Sequence, residues 1–417
     1  MKLNFKINNL IKKEYNRQKK SINLIASENL ASRQILNTTG SILTNKYAEG
    51  LPKKRYYGGC KIIDKIELLA IKNAKKLFNA EWVNVQPHSG SQANAALMLS
   101  ILNPGDKILS FNLNHGGHLS HGSSVNFSGK LYKSCFYGIN KDTELIDWKN
   151  LEKQSIIEKP KLIICGASSY SRDWNYKKFR KIADNIGAFL MSDISHTSGL
   201  IAKGFLNNPF PYCHFVTSTT HKTLRGPRGG IIMMGKNFKN IYIKKKNIAS
   251  LLDSGVFPGT QGGPSENVIG AKAIAFSEAL SSRYLKYILQ IKKNTKKIAK
   301  TFIEKKYKII SNGTDNHLIV IDLTNKKLNG KMAEDALGRA GIIVNKNVIP
   351  FDQNKPTVTS GIRIGTPVVT SREMNENDME KIVELIDQVL LNHDNDTIIK
   401  SIKKKVNKWM DKFPLLV

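Results

Sequence analysis

The chain has 417 residues, 41% of them hydrophobic, which suits two or three domains around a large buried core. Its 65 basic residues against 33 acidic ones give a formal charge of +32. The lysines are scattered (KKKNI, QIKKNTKKIAK, SIKKKVNKW) with no aromatic-interleaved stripe, which fits solvated faces rather than specific nucleic-acid recognition. No run approaches the roughly 18 apolar residues of a membrane helix, so no membrane role is expected.

In chain order, residues 1–52 read as an arm. It has one helix, then a stretch rich in Ser, Asn, Thr and Gly that is expected to be extended and to pack on something larger. The basic start lacks the apolar centre and small-residue cleavage site of a secretory signal. From about residue 60, helices and short apolar strands alternate. ELLAIKNAKKLF carries a helical apolar stripe and WVNV is a strand. SQANAALMLSIL is a helix, NPGD a turn and KILSF a strand. KLIIC, AFLMSD, HFVTSTTH and GGIIMM are further strands, with the helix YKKFRKIADNIG before AFLMSD. This alternation predicts a large, doubly wound, mostly parallel sheet over 53–275. A proline-free helical region follows over 266–305. Then come the strand HLIVIDL, the helix KMAEDALGRAG, the strands IIVN and GIRIG and two terminal helices. Residues 276–417 are therefore expected to form a smaller α+β domain. The four cysteines make neither a C-x-x-C pair nor a zinc pattern, which suits a reducing cytoplasm.

In an open parallel sheet, ligands bind beyond the carboxyl ends of the strands. AFLMSD ends in Asp193, which could pair with a ring nitrogen, a metal or a ribose, or merely cap a turn. His196 follows closely. The next strand runs into His221-Lys222 and the turn GPRGG. A lysine there is a candidate covalent nucleophile, provided that burial or nearby cations such as Arg225 and Arg228 lower its pKa. Together, Asp193 and Lys222 could grip one pyridoxal phosphate, the carboxylate at the pyridinium nitrogen and the amine at the aldehyde carbon. VQPHSGSQAN offers a phosphate cradle, because a strand leads to serines at a helix start. Plain capping by Ser89 or Ser91 would also account for it. No dinucleotide or P-loop glycine pattern is present. The histidines of NHGGHLSHG are expected to stack on a ring or touch substrate rather than bind metal. Arg363, in TSGIRIGTP, could hold a substrate carboxylate or form an ordinary ion pair.

Read together, LIASEN, LTNKYAEG, KRYYGGC, NVQPHSGSQAN, NHGGHLSHG, SDISHTSGL, TSTTHKTLRGPRGG, VFPGTQGGP and TSGIRIGTP resemble the serine hydroxymethyltransferase family over essentially the whole chain. The resemblance implies the fold of type I pyridoxal-phosphate enzymes and a homodimer with shared active sites, or a dimer of such dimers. The implied reaction converts serine and tetrahydrofolate to glycine and 5,10-methylenetetrahydrofolate. Lys222 would hold the cofactor as a Schiff base, and Asp193 would pair with its ring nitrogen. His118 and His196 would flank the ring, with Ser168 in contact. Gly90, Ser91 and His221 would serve the phosphate, joined from the other subunit by Tyr47, Gly262 and Gly263, and Arg228 would also bind the cofactor. Ser27, His196 and Arg363 would fix the amino acid. Glu49 would be the main acid/base group, with Tyr56 and Tyr57 lining the substrate side. Leu113, Gly117, Leu119 and Asn347 would contact the pteridine.

Overall fold

The computed structural model describes residues 2–238, 240–243 and 245–415. By its contacts the chain forms two compact units, Ala31–Ile288 and Met1–Leu30 with Leu289–Val417. The sequence pattern instead places boundaries after residues 52 and 275.

The first unit is built on seven strands: β1 (Trp82–Asn84), β2 (Lys107–Phe111), β3 (Lys133–Tyr137), β4 (Leu162–Cys165), β5 (Phe189–Asp193), β6 (Phe215–Thr219) and β7 (Gly230–Met234). Their order across the sheet is β1-β7-β6-β5-β4-β2-β3. β7 runs antiparallel to both its neighbours, and the β6-β5-β4-β2-β3 pairings are parallel. β4, β6 and β7 are buried at every residue, as strands covered on both faces must be. β3 was missed in the sequence because edge strand KSCFY mixes exposed and buried positions and gives no continuous apolar run.

Two further readings change. The stretch expected to be extended contains helix Arg33–Thr39 and a 3-10 turn at Ile42–Asn45, each capped by a serine side chain. Ile35 brings that helix onto Ala271 and Ala275. The single helical region is two helices, Glu266–Leu280 and Ser282–Glu304, parted at Ser281 by an extended ψ of 160°. Ser281 Oγ accepts from the backbone N–H of Tyr284 and so starts the second helix.

The second unit holds a four-stranded antiparallel sheet of β8 (Lys308–Ile309), β9 (Leu318–Asp322), β10 (Asn345–Asn347) and β11 (Gly361–Gly365), in the order β8-β9-β11-β10. Helices Gly330–Arg339, Glu376–Leu391 and Asp396–Met410 contribute to its apolar core. The N-terminal segment belongs here because Ile22–Asn23 pairs in parallel with Ile342–Ile343, burying Ile22 and Leu24 completely.

Candidate active site

Three chain segments meet at the carboxyl ends of β5 and β6. Asp193, the last residue of β5, is 9% exposed. Its Oδ2 accepts from Asn94 Nδ2 at 2.9 Å and lies 2.9 Å from His121 Nε2. Its Oδ1 accepts from the Ser195 backbone N–H at 3.0 Å and hydroxyl at 2.5 Å. Burial opposes ionisation most strongly, but the His121 hydrogen bond, the nearby His121 and His118 and the Ser195 hydroxyl hold the acid well below the usual carboxylate range. Among the described residues, its partners are Asn94, Ser195 and the His121 imidazole, with no guanidinium or ammonium.

Ser195 ties this carboxylate to the next strand, because its Oγ accepts from the Thr219 N–H at 3.0 Å. Thr219 ends β6, three residues before Lys222, which is 8% exposed. The turn after it is held by Thr220, whose carbonyl accepts from Gly226 N–H at 2.7 Å and whose hydroxyl donates to Pro227 O at 2.6 Å. His196 is buried, and its carbonyl accepts from the Thr223 hydroxyl at 2.9 Å.

Helix Gly90–Ile101 supplies the third segment. Ser89 caps it, accepting from Gln92 N–H at 3.1 Å, while Ser91 is exposed. A Cβ on Gly90 would lie 2.7 Å from Thr219 Cγ2 and 3.5 Å from Ser195 Oγ, so only a glycine lets the helix start approach this closely. One turn further on, Asn94 accepts from Thr217 Oγ1 at 2.7 Å and donates to both Asp193 and Ser120. Asn94 and Ser195 were not singled out in the sequence. The spacing of Asn94, four residues after Gly90, puts it on the same helix face and was the available signal.

The histidine loop completes the site. Ser120 accepts from Asn94, and its Oγ lies 2.7 Å from His118 Nδ1. The Ser120 N–H also reaches that nitrogen, at 3.2 Å, which makes Nδ1 an acceptor and puts the neutral ring's proton on Nε2. Burial, then the neighbouring His121, brings the His118 pKa down to about 4. His118, His121 and Asp193 offer ligand atoms within 4.8 Å of one another, so the carboxylate absent from the histidine segment is brought to it by β5. Gly117 N–H is bonded to Asn112 O, and Ser168 N–H to Gly116 O at 2.7 Å. Leu113 and Leu119 stand exposed nearby in sequence.

His221 is pushed down to about 3 by burial and then by Arg228, Lys222 and Lys272; Arg228 itself is exposed. A second group gathers Tyr47, Glu49, Tyr57, Gly262 and Gly263. Tyr47 donates to Glu49 Oε1 at 3.3 Å, and the Tyr47 and Tyr57 rings are 5.0 Å apart. Cβ atoms on Gly262 and Gly263 would touch Glu49 and the Tyr47 ring respectively. Tyr56 stacks near Phe257 with 77% of its surface exposed.

Ser27, Asn347 and Arg363 belong to the other unit. There Ala26 presses on Gly365, placing the Ser27 segment beside the end of β11. Arg363, in β11, is buried, donates to Asn345 Oδ1 at 3.1 Å and has its pKa pulled down to about 10 by burial. Asn347 lies in β10, paired with Gly361.

The seven-stranded, largely parallel sheet with its smaller α+β partner unit is the fold of the type I pyridoxal-phosphate enzymes. More specifically, the family model for serine hydroxymethyltransferase matches residues 1–386, and the chain belongs to that enzyme family. Enzymes of this family depend on pyridoxal phosphate and interconvert serine and glycine with tetrahydrofolate.

Proposed function

We propose that this enzyme reversibly transfers the hydroxymethyl group of serine to tetrahydrofolate, giving glycine and 5,10-methylenetetrahydrofolate, with Lys222 as the covalent anchor of pyridoxal phosphate. The observation that carries the reading is the buried Asp193 carboxylate, held ionised by hydrogen bonds from Asn94 and Ser195 and by the neighbouring His121, and tied through Ser195 to the strand that ends before Lys222. Such a buried, ionised carboxylate fits a protonated ring nitrogen. The phosphate fits the start of helix Gly90–Ile101, with Ser91, Arg228 and His221, whose buried Nδ1 has no partner among the described residues.

Bound pyridoxal phosphate supplies a sink for the electrons released when the Cα–Cβ bond of serine breaks. Asp193 keeps a proton on the ring nitrogen. His118, neutral and fixed through Ser120, offers a flat face to the ring, with His196 and Ser168 as further contacts. Glu49 takes and returns the proton at the serine hydroxyl, beside Tyr56 and Tyr57. Ser27, His196 and Arg363 hold the amino acid, Arg363 by its carboxylate. Leu113, Gly117, Leu119 and Asn347 receive the pteridine. The proposal includes a homodimer in which Tyr47, Gly262 and Gly263 serve the other copy's phosphate, a role supported by the exposed rings of Tyr47, Tyr56 and Tyr57. It also includes a cytoplasmic setting, in keeping with four free cysteines. Among the described residues no helix is long and apolar enough to cross a membrane.

Borohydride reduction of the loaded enzyme followed by peptide mass spectrometry should place the cofactor's mass on Lys222; its appearance on another lysine would overturn the assignment. Lys222→Ala should lower folate-dependent glycine formation from serine by about 10³-fold or more. Cleavage that proceeds equally well without tetrahydrofolate would point instead to an aldolase.

A further inference from the structure

Lys272 lies on helix Glu266–Leu280 and is 1% exposed. Its Nζ donates to three backbone carbonyls, those of Val85 at 2.6 Å, Pro87 at 2.9 Å and Gly230 at 2.8 Å. An ammonium has three protons and no acceptor, so every proton is used and the charge is solvated by peptide groups alone. The carbonyls belong to two segments. Val85 and Pro87 lead from β1 to Ser89, the cap of helix Gly90–Ile101. Gly230 starts β7, just after the turn that carries His221 and Arg228. The segments also touch directly, because Gly230 N–H donates to Pro87 O at 2.9 Å and a Cβ on Gly230 would lie 2.2 Å from Ser89 O.

We propose that Lys272 is a positioning residue that clamps the Ser89 loop and the His221–Gly230 turn into one arrangement and holds a buried positive charge beneath the anion cradle, so that it sets the affinity for the cofactor's phosphate. The proposal rests on placing the phosphate at Gly90, Ser91 and His221. The charge is felt at that site, since Lys272 is among the cations that depress His221. Burial pulls Lys272 itself down to about 7 against the pull of the Glu67 carboxylate. Glu67 is bonded to Arg55 and Gln86; Thr220 Oγ1 flanks the amine across Gly229, and His221, Lys222 and Arg228 share the field on the cradle side. As pH rises through neutrality the clamp loses a proton, one of its three bonds and its charge.

The test compares wild type and Lys272→Met as apoproteins, measuring dissociation constants for pyridoxal phosphate and for sulfate, a dianion whose charge stays constant between about pH 6 and 9. Lys272→Met should weaken both ligands by about tenfold at pH 6. Wild-type sulfate affinity should fall as pH rises from about 6 to 9, and the variant should lack most of that fall. Equal affinities in the two proteins, or a flat wild-type sulfate profile, would overturn the role of Lys272; a flat wild-type profile does so even if the variant does not fold. Wild type that binds no pyridoxal phosphate would instead overturn the site on which the proposal rests.

Discussion

Single buried charges dominate at the residue scale, and the structure treats them in different ways. Asp193 keeps its charge through donors, whereas Glu266 gives up its own. The Glu266 side chain is fully buried, neither carboxyl oxygen has a hydrogen-bond partner among the described residues, and Arg55 is 3.8 Å away but already bonded to Glu67 and Asp64. Burial, then the Glu67 charge, push its pKa from 4.5 up to about 8. Between those values the folded protein binds a proton that the unfolded chain has released, so this group's stabilisation is present at acid pH and lost as pH rises towards 8. Glu266→Gln should flatten that slope and raise the Tm at alkaline pH; thermal melts from about pH 5 to 9 measure it. A variant with the wild-type slope would show that another group titrates. None of this was legible in the sequence, because Glu266 follows an ordinary QGGPS turn and only the fold surrounds it with other acids.

At the element scale, helix starts are set by short polar side chains and could be read with more success. Helix Glu376–Leu391 carries a complete capping box, in which Asn375 bonds back to the first turn and the Asp378 side chain accepts from the Asn375 N–H. Asn375→Ala should cost about 1 kcal/mol in denaturant unfolding without changing cofactor affinity. The strands of the sheet interior announce themselves as apolar runs, but edge strand β3 does not. The same physics explains Ser281, where a serine breaks an otherwise continuous helical pattern by offering its hydroxyl to the next turn.

At the scale of the whole chain, both termini come together on one arginine. Arg372 is 1% exposed and donates to the carbonyls of Gln18, Lys19 and Ser21 near the N-terminus and of Met410, Phe413 and Pro414 near the C-terminus. Burial pulls it down to about 10, which leaves it charged at neutral pH. Arg372→Met would leave those carbonyls unsatisfied and should destabilise the unit by roughly 3 kcal/mol, with faster amide exchange at residues 18–21 and 410–414 as the local signature. Unchanged exchange there would contradict the clamp.

The sequence by itself determined the alternating order of elements and the strands of the sheet interior, and it singled out the lysine, carboxylate and helix start proposed for the site. Each rests on local chemistry: apolar runs, capping side chains, and residues placed just beyond strand ends. Only the tertiary structure decided that Asn94 and Ser195 wire those groups together, that Lys272 lies beneath the Ser89 loop, and that the first thirty residues join the C-terminal unit. Those outcomes depend on which carbonyls and carboxylates are buried side by side, and burial is a property of the folded chain rather than of any segment.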